Sequence, residues 1–411
     1  MKCALIGEKL SHSFSARIHS EIGLYDYTLN PLSPDDFSRY MEKRDFDGIN
    51  VTIPYKRDVI PYLDFLSPEA RKCGAVNTVV NREGKLYGFN TDFLGLESLF
   101  IHSGISAEGK KALILGSGGT SLTALALLQS LGAREIYRVS RGEKEGCITY
   151  AEAEKNHGDA DLLVNTTPCG MYPDTDGCPV DLSCFPHLLG VVDVIYNPLK
   201  TRLLLEAEKR GIPCAGGLYM LIAQAVYAAQ IFTGREDLLP LIPSLFEEIK
   251  REKENLVLIG MPGCGKSTLG KALAEKLGKA FVDSDEEIVK EAGMTIPEIF
   301  KKEGEKAFRD REEKVIARLA METGVVTATG GGAVLREENV KRLSQNGRLL
   351  FLDAPLETLV ATKDRPLSQT KEALTKLYFE RYDIYKKSAD RVIEITRNKE
   401  ENLEKILKVL K

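Results

Sequence analysis

The sequence predicts an α/β protein of several domains, each built on a parallel sheet flanked by helices. Two segments carry that expectation. The apolar run Lys111–Leu115 breaks into Gly116, Gly118, Gly119 and Thr120, and Leu256–Ile259 breaks into Gly260, Gly263 and Gly265; a helical pattern follows each at once. A strand that turns through glycine into a helix N-terminus aims backbone N–H groups and a helix dipole at an anion. The third observation is length. With 411 residues, the chain has room for about three cores.

Composition narrows the class. Hydrophobic content of 43% and charged content of 28% are those of a soluble globular protein. A net charge of −4 without a basic run gives no sign of nucleic-acid binding. No signal peptide and no apolar run of spanning length is seen, so the expectation is a cytoplasmic protein without a membrane partner. The eight cysteines are scattered with no C-x-x-C pair, which reads as reduced thiols. The spacing of Cys169, Cys178 and Cys184 fits no usual zinc pattern. Nothing in the sequence sets the oligomeric state.

In the first hundred residues, Cys3–Ile6 reads as a strand ended by Gly7. Ser11, Ser13 and Ser15 precede a predicted helix, Ala16–Ile22, where serines suit N-caps. Phe46–Pro54 is a strand closed by proline, with Lys56 just beyond, ordinarily a solvated charge. Ala75–Val80 is a strand with Asn77 and Thr78 embedded in it. Asn90, Thr91 and Asp92 turn into a helix, with Asp92 a cap or a first-turn carboxylate. Each group has a structural explanation by itself. Together the hydroxyls, ammonium, amide and carboxylate suit a small ligand that carries hydroxyls and a carboxylate. The order and spacing resemble the shikimate dehydrogenase family: S-x-S at Ser13 and Ser15, N-V-T-x-P-x-K at Asn50–Lys56, A-x-N-T at Ala75–Thr78, and N-T-D at Asn90–Asp92. The resemblance implies Lys56 and Asp92 as the catalytic pair, with Ser13, Ser15, Thr52, Asn77 and Asp92 on the substrate, 3-dehydroshikimate or shikimate.

The segment from Lys111 is a dinucleotide-binding fingerprint with Ser121 where a third glycine or alanine is usual. The next strand, Glu135–Val139, ends in Ser140 and Arg141. An NAD enzyme would place Asp or Glu there. A guanidinium instead binds a 2′-phosphate, which favours NADP(H). The expected cofactor contacts are Gly116, Gly118, Gly119, Thr120, Ser140 and Arg141. Two further strand ends, Asp161–Met171 and Val192–Pro198, resemble the family's N-T-T-P-x-G-M and D-x-x-Y-x-P. A long apolar helix begins after Gly217 and is interrupted by Gln224. By the resemblance, Tyr196 and Gln224 reach the substrate, and Gly217 and Met220 the cofactor.

Gly260, Gly265, Lys266 and Ser267 complete G-x-x-x-x-G-K-[ST]. This loop predicts ATP binding, with Gly263, Cys264, Gly265, Lys266, Ser267 and Thr268 around the phosphates and the Ser267 hydroxyl on Mg²⁺. Downstream, Asp283, Ser284 and Asp285 end a strand, where Ser284 or Asp285 would also suit a cap. Gly304, Glu305, Phe308 and Arg309 lie on a helical stretch, Gly330–Gly332 is bare backbone at a strand end, and Arg365, Pro366 and Leu367 lie in a polar loop. The set resembles shikimate kinase. It implies Asp283 near Mg²⁺ through water, Asp285 on the reacting hydroxyl, and Lys266 and Arg365 on the transferring phosphate. Arg309, Arg381 and the Gly331 and Gly332 backbone would grip shikimate. The segment before Arg365 is shorter than the family's usual lid. Cys264, beside a helix N-terminus and Lys266, is either a reactive thiol or a small residue filling the loop.

The expected layout is a substrate-binding domain over 1–98, completed by helices from about 213–240, and a Rossmann-like NADP domain over 99–212. A linker over 241–254 and a P-loop kinase domain with a parallel sheet over 255–411 follow. The two activities would be consecutive, sharing shikimate. The alternatives are a quinate-type dehydrogenase joined to another small-molecule kinase, and a dehydrogenase carrying an ATP-sensing module. From Arg141 follows a preference for NADPH over NADH that Arg141→Ala narrows by roughly tenfold to a hundredfold. Kinetics with both cofactors check it, and equal efficiency in the parent would refute the argument.

Overall fold

The computed structural model describes residues 1–10, 14–359 and 366–410. They form two compact units, Met1–Asn197 with Thr201–Ile249, and Pro198–Lys200 with Lys250–Lys411.

The first unit holds two six-stranded sheets. In the first, β1 (Lys2–Gly7), β2 (Asp26–Pro31), β3 (Gly48–Val51), β4 (Phe65–Leu66), β5 (Thr78–Arg82) and β6 (Lys85–Phe89) lie in the order β2-β1-β3-β5-β6-β4. Only β5 runs antiparallel to its neighbours. Its reversal into β6 uses Glu83 and Gly84, both at positive φ, the geometry of a two-residue hairpin turn. In the second sheet, β7 (Lys111–Leu115), β8 (Glu135–Ser140), β9 (Ile148–Thr149), β10 (Leu162–Asn165), β11 (Gly190–Asp193) and β12 (Cys214–Gly216) lie in the order β12-β11-β10-β7-β8-β9, all parallel. The strand order reverses at β7, so the switch point opens where the glycine turn begins.

Each predicted strand of this unit is present. The expected domain break at 98/99 falls inside the helix Thr91–Ser103, and β12 adds residues 214–216 to the second sheet. The predicted linker is the helix Leu241–Lys253, which begins before Pro243. A proline in the first turn removes no intrahelical donor, so the helix accommodates Pro243.

The second unit carries β13 (Asn255–Ile259), β14 (Ala280–Asp283), β15 (Val325–Ala328), β16 (Gly347–Asp353) and β17 (Arg391–Glu394), in the parallel order β14-β15-β13-β16-β17. Alternation along β13 sends Leu256 and Leu258 to one core and Val257 and Ile259 to the other. The helical stretch around Arg309 is broken at Gly304, whose φ of 84° is left-handed. Beyond it, Phe308, Arg309, Glu312, Val315, Ile316 and Leu319 form one buried face. Among the described residues, no helix is long and apolar enough to cross a membrane.

One buried carboxylate latches the second sheet. Asp193, at the end of β11, is fully buried. It accepts hydrogen bonds from Asn165 Nδ2 (3.0 Å), Ile195 N (3.0 Å) and Thr201 Oγ1 (2.7 Å). Burial outweighs these donors and pushes its pKa up to about 6. The folded state therefore keeps a proton that the unfolded chain has released. The stability this gives is complete below about pH 4 and is lost as pH rises through about 6. Asp193→Asn resembles the protonated form. Its stability relative to the parent should rise between pH 4 and 7 by on the order of 2–3 kcal/mol. Denaturant unfolding of both chains across that range, following the transition of the first unit, measures it; a pH-independent difference would contradict the assignment.

Candidate active sites

The first site forms where β3 and β6 of the mixed sheet end. After β3 the chain passes Thr52 and a cis Ile53–Pro54 bond to reach Lys56. After β6, Asn90 caps the helix Thr91–Ser103, its Oδ1 accepting from Phe93 N at 3.0 Å. Asn90 is thus the cap, and Asp92 is the first-turn carboxylate. Lys56 Nζ donates to Asp92 Oδ2 at 2.6 Å. Both side chains are partly exposed, at 27% and 19%, so the pair is open to a ligand yet less screened than in bulk water. Asn77 is buried beside them, its Oδ1 accepting from Thr91 N at 2.6 Å. Asn50 donates to Asn77 O and Thr78 Oγ1, and Thr78 Oγ1 meets Thr91 Oγ1 at 3.0 Å. This network explains the polar residues embedded in apolar strands: they hold the helix that carries Asp92.

The remaining residues expected on substrate approach from other elements. A Cβ on Gly7 would lie 2.5 Å from Thr52 Cγ2, so glycine is what lets Thr52 pack there. Ser15 opens the helix Ser15–Ile22, and Phe14 before it meets the Tyr196 ring edge-on at 6.4 Å. Burial raises the pKa of Tyr196, which keeps its hydroxyl a donor. Gln224 is buried, with Nε2 donating to Leu221 O at 2.9 Å. Its helix, Leu218–Thr233, closes on the Asp92 helix at Gly95, where a Cβ would lie 2.7 Å from Met220 O. Ser13 lies outside the described residues.

The nucleotide turn follows β7. Gly116 has φ 117°, and a Cβ there would meet Thr166 Oγ1 at 2.6 Å. Gly118 caps the helix Gly119–Ser130, and open space lies beside both glycines. Bare backbone at a helix N-terminus suits a dinucleotide's phosphates. Ser121 is accommodated because its hydroxyl turns back onto Gly118 O at 2.6 Å. Thr120 lies in the first turn. Ser140 is buried and donates to Gly142 O, leaving Arg141 exposed. Gly217 is held by close approach, a Cβ lying 2.0 Å from Val194 O, and Met220 is buried in the helix after it. The sequence reading missed Lys144, whose Nζ donates to Ser117 O at 2.9 Å. A lysine three residues after Arg141 was the available signal.

The second site is a cavity of about 400 Å³. It lies between the P-loop, Asp283, Asp285, Arg309, Thr329–Gly332 and Arg381. Gly260, Gly263 and Gly265 all have positive φ, the bend that turns β13 into the helix Lys266–Leu277. Thr268 lies in that helix's first turn. Lys266 is buried, its Nζ donating to Gly260 O (2.8 Å) and Met261 O (3.0 Å). Ser267 Oγ donates to Asp283 Oδ2 at 2.5 Å. Asp283 also caps the helix Ser284–Ala292, accepting from Asp285 N at 2.9 Å. The cap is therefore Asp283, and Ser284 Oγ instead accepts from Gly330 N at 2.9 Å.

Charge is concentrated in the wall of this cavity. Among the described residues, buried Asp285 Oδ1 and Glu312 Oε1 have no hydrogen-bond partner. Burial, then the like charges of Asp283 and Glu312, push Asp285 up to about 7 against the opposing Lys266 and Arg309. Burial also raises Glu312. Arg309 pairs with Glu312 at 2.7 Å and Glu305 at 3.2 Å. Glu312 was missed by the sequence reading, although it lies one helical turn after Arg309. The glycines are set by sterics: a Cβ on Gly330 would lie 2.5 Å from Asp285 Oδ1, and one on Gly332 2.0 Å from Arg309 Nη1. Arg381 Nη1 donates to Gly331 O at 3.0 Å. Cys264 is buried, its Sγ 3.8 Å from Lys266 Nζ; it fills the loop rather than presenting an accessible thiol. Arg365 lies outside the described residues.

Known proteins match both halves. A family model for the shikimate dehydrogenase substrate binding domain matches residues 5–79, and one for shikimate kinase matches residues 262–411. Shikimate dehydrogenase (NADP(+)) of Clostridium beijerinckii is 39% identical over 246 residues, 56% of this chain and 90% of its own length. Among solved structures, shikimate dehydrogenase 1 of Peptoclostridium difficile has a TM-score of 0.55 at 37% identity, covering 61% of this chain and 98% of that one. A chorismate mutase/shikimate 5-dehydrogenase fusion protein from Clostridium acetobutylicum has a TM-score of 0.56 at 32% identity, covering 60% and 96%. The lysine–carboxylate pair beside a Rossmann turn and the P-loop cavity behind it in sequence thus have one reading: the chain belongs to the shikimate dehydrogenase family, continues into a shikimate kinase domain, and is a bifunctional shikimate-pathway enzyme that uses NADP, ATP and Mg²⁺.

Proposed function

We propose that the first site reduces the ketone of 3-dehydroshikimate to shikimate, and that the second phosphorylates shikimate to shikimate 3-phosphate, in the cytoplasm. The 2.6 Å contact between Lys56 and Asp92 supports the first assignment. The dinucleotide supplies the hydride when bound. Lys56, paired with Asp92, gives the carbonyl oxygen its proton, and Asp92 orients the resulting hydroxyl. Ser13, Ser15, Thr52, Asn77, Tyr196 and Gln224 hold the ring hydroxyls and carboxylate. Gly116, Gly118, Gly119, Thr120, Ser140, Arg141, Gly217 and Met220 hold NADP(H). The open backbone at Gly118 and Gly119 fits its phosphates, and exposed Arg141 fits a 2′-phosphate.

The unpartnered oxygen of Asp285 supports the second assignment. Bound ATP supplies the phosphoryl group, and Mg²⁺ neutralises charge on its oxygens. A hydroxyl and a carboxylate 2.5 Å apart, Ser267 and Asp283, fit a hard cation that keeps several waters. Gly263–Thr268 would cradle the phosphates, and Lys266, held on the Gly260 and Met261 carbonyls, would be the cation available to them. Asp285, with its pKa near neutrality, takes the proton of the attacking hydroxyl. Arg309, Arg381 and the Gly331 and Gly332 N–H groups hold shikimate, and Arg365 serves the transferring phosphate. All eight cysteines are free thiols, in keeping with a reducing compartment.

Two variants of the full chain test the pair of roles. Lys56→Ala should lower NADPH oxidation with 3-dehydroshikimate by about 10²- to 10⁴-fold while shikimate-dependent ADP release is unchanged. Asp285→Asn should do the reverse, with ATP still bound. Near-parent turnover in either variant would remove that residue from its role. ADP release indifferent to shikimate, or reduction favouring the quinate-type ketone, would count against the substrate assignment.

A further inference from the structure

Tyr385 lies one helical turn beyond Arg381 on the helix Lys371–Ser388 and is completely buried. Its ring stacks on Phe351 of β16, with centroids 5.2 Å apart and planes 18° apart. A packed ring fixes where its hydroxyl sits, and that hydroxyl donates to Gly331 O. Arg381 Nη1 donates to the same oxygen at 3.0 Å. Both lone pairs of this carbonyl are therefore engaged, from one helix, by residues at i and i+4. Against Gly331 from another side lies Pro262 of the P-loop, 2.7 Å from the position a Cβ would take.

The consequence follows from peptide planarity. In a trans peptide the C=O and the following N–H point in opposite directions. Two donors that hold Gly331 C=O toward the helix therefore turn the Gly332 N–H away from it. Gly331 and Gly332 line the cavity. Among the described residues, neither of their N–H groups donates to a protein acceptor. Arg381 gives one of its five donors to the backbone and retains others for an anionic ligand.

We infer that Tyr385 is a positioning residue for shikimate binding: through Gly331 O it sets the Gly332 N–H and the Arg381 guanidinium in the orientation that receives the substrate's carboxylate and hydroxyls. The inference rests on the proposed role of Arg381 and Gly331–Gly332. It assigns Tyr385 no contact with substrate and no part in nucleotide binding. In sequence this tyrosine is one member of the stretch from Arg381 to Asp390, with no role that the pattern assigns to it.

Tyr385→Phe keeps the stacked ring and deletes only the hydroxyl. Loss of one such hydrogen bond should raise the KM for shikimate about 5- to 10-fold, with the KM for MgATP within about twofold of the parent. The melting temperature of the kinase transition should fall by no more than a few degrees. Arg381→Ala, assayed in parallel, must raise the shikimate KM at least as much. An unchanged shikimate KM in Arg381→Ala would defeat the underlying reading of the site. A raised KM in Arg381→Ala with none in Tyr385→Phe would overturn the role of Tyr385 alone. An equal rise of both KM values in Tyr385→Phe would also overturn it, as the mark of general loosening.

Discussion

The central strands of each sheet are buried on both faces, so polar chemistry can gather only where strands end. There the backbone ladder stops and peptide groups become available. The loop-borne site elements obey this constraint, while Gln224, Arg309 and Arg381 reach the sites from helices. Lys56 and Asp92 follow β3 and β6, the dinucleotide turn follows β7, and Asn165 and Asp193 end β10 and β11. The P-loop follows β13, the Asp283–Asp285 segment follows β14, and the three glycines follow β15. Fully apolar runs such as Ala112–Leu115 and Leu256–Ile259 are thus what make the polar tips possible. They fix the sheet that presents those tips on one edge.

At those tips, close packing decides the residue type. Gly217, Gly330 and Gly332 are glycines because neighbouring backbone or charged groups occupy the space of a side chain. Gly118 and Gly119 face open space instead, which leaves their backbone accessible to the dinucleotide proposed there. The distinction separates two meanings of a glycine that look alike in sequence.

The kinase cavity stores unfavourable electrostatics. Glu312 and Arg309 are buried, Asp285 is half-buried with its Oδ1 shielded from solvent, and two carboxylate oxygens lack partners among the described residues. Removing charges from water costs more than an ion pair of ordinary geometry returns. Their arrangement raises Asp285 toward neutrality. For the base role proposed for Asp285, a carboxyl raised toward neutrality is thus obtained at the expense of stability, as active sites commonly require. The first site differs: Lys56 and Asp92 stay partly exposed and satisfy each other.

The sequence by itself determined the α/β class, the strands that carry the motifs and both glycine turns, and it supplied the residues proposed for both sites. These are local signals: an apolar run, a glycine, a helical period, a motif whose members lie within a few residues. The pairing of Lys56 with Asp92 was implied by family resemblance, but its 2.6 Å contact required β3, β5 and β6 to assemble. The partners of Asp193, the closure of two helices at Gly95, the cap at Asp283 and the helix through Pro243 were decided by tertiary structure. So were the contacts of Lys144, Glu312 and Tyr385. Each depends on which groups from distant segments compete for one carbonyl, one lone pair or one cavity, and a linear pattern holds no record of that competition.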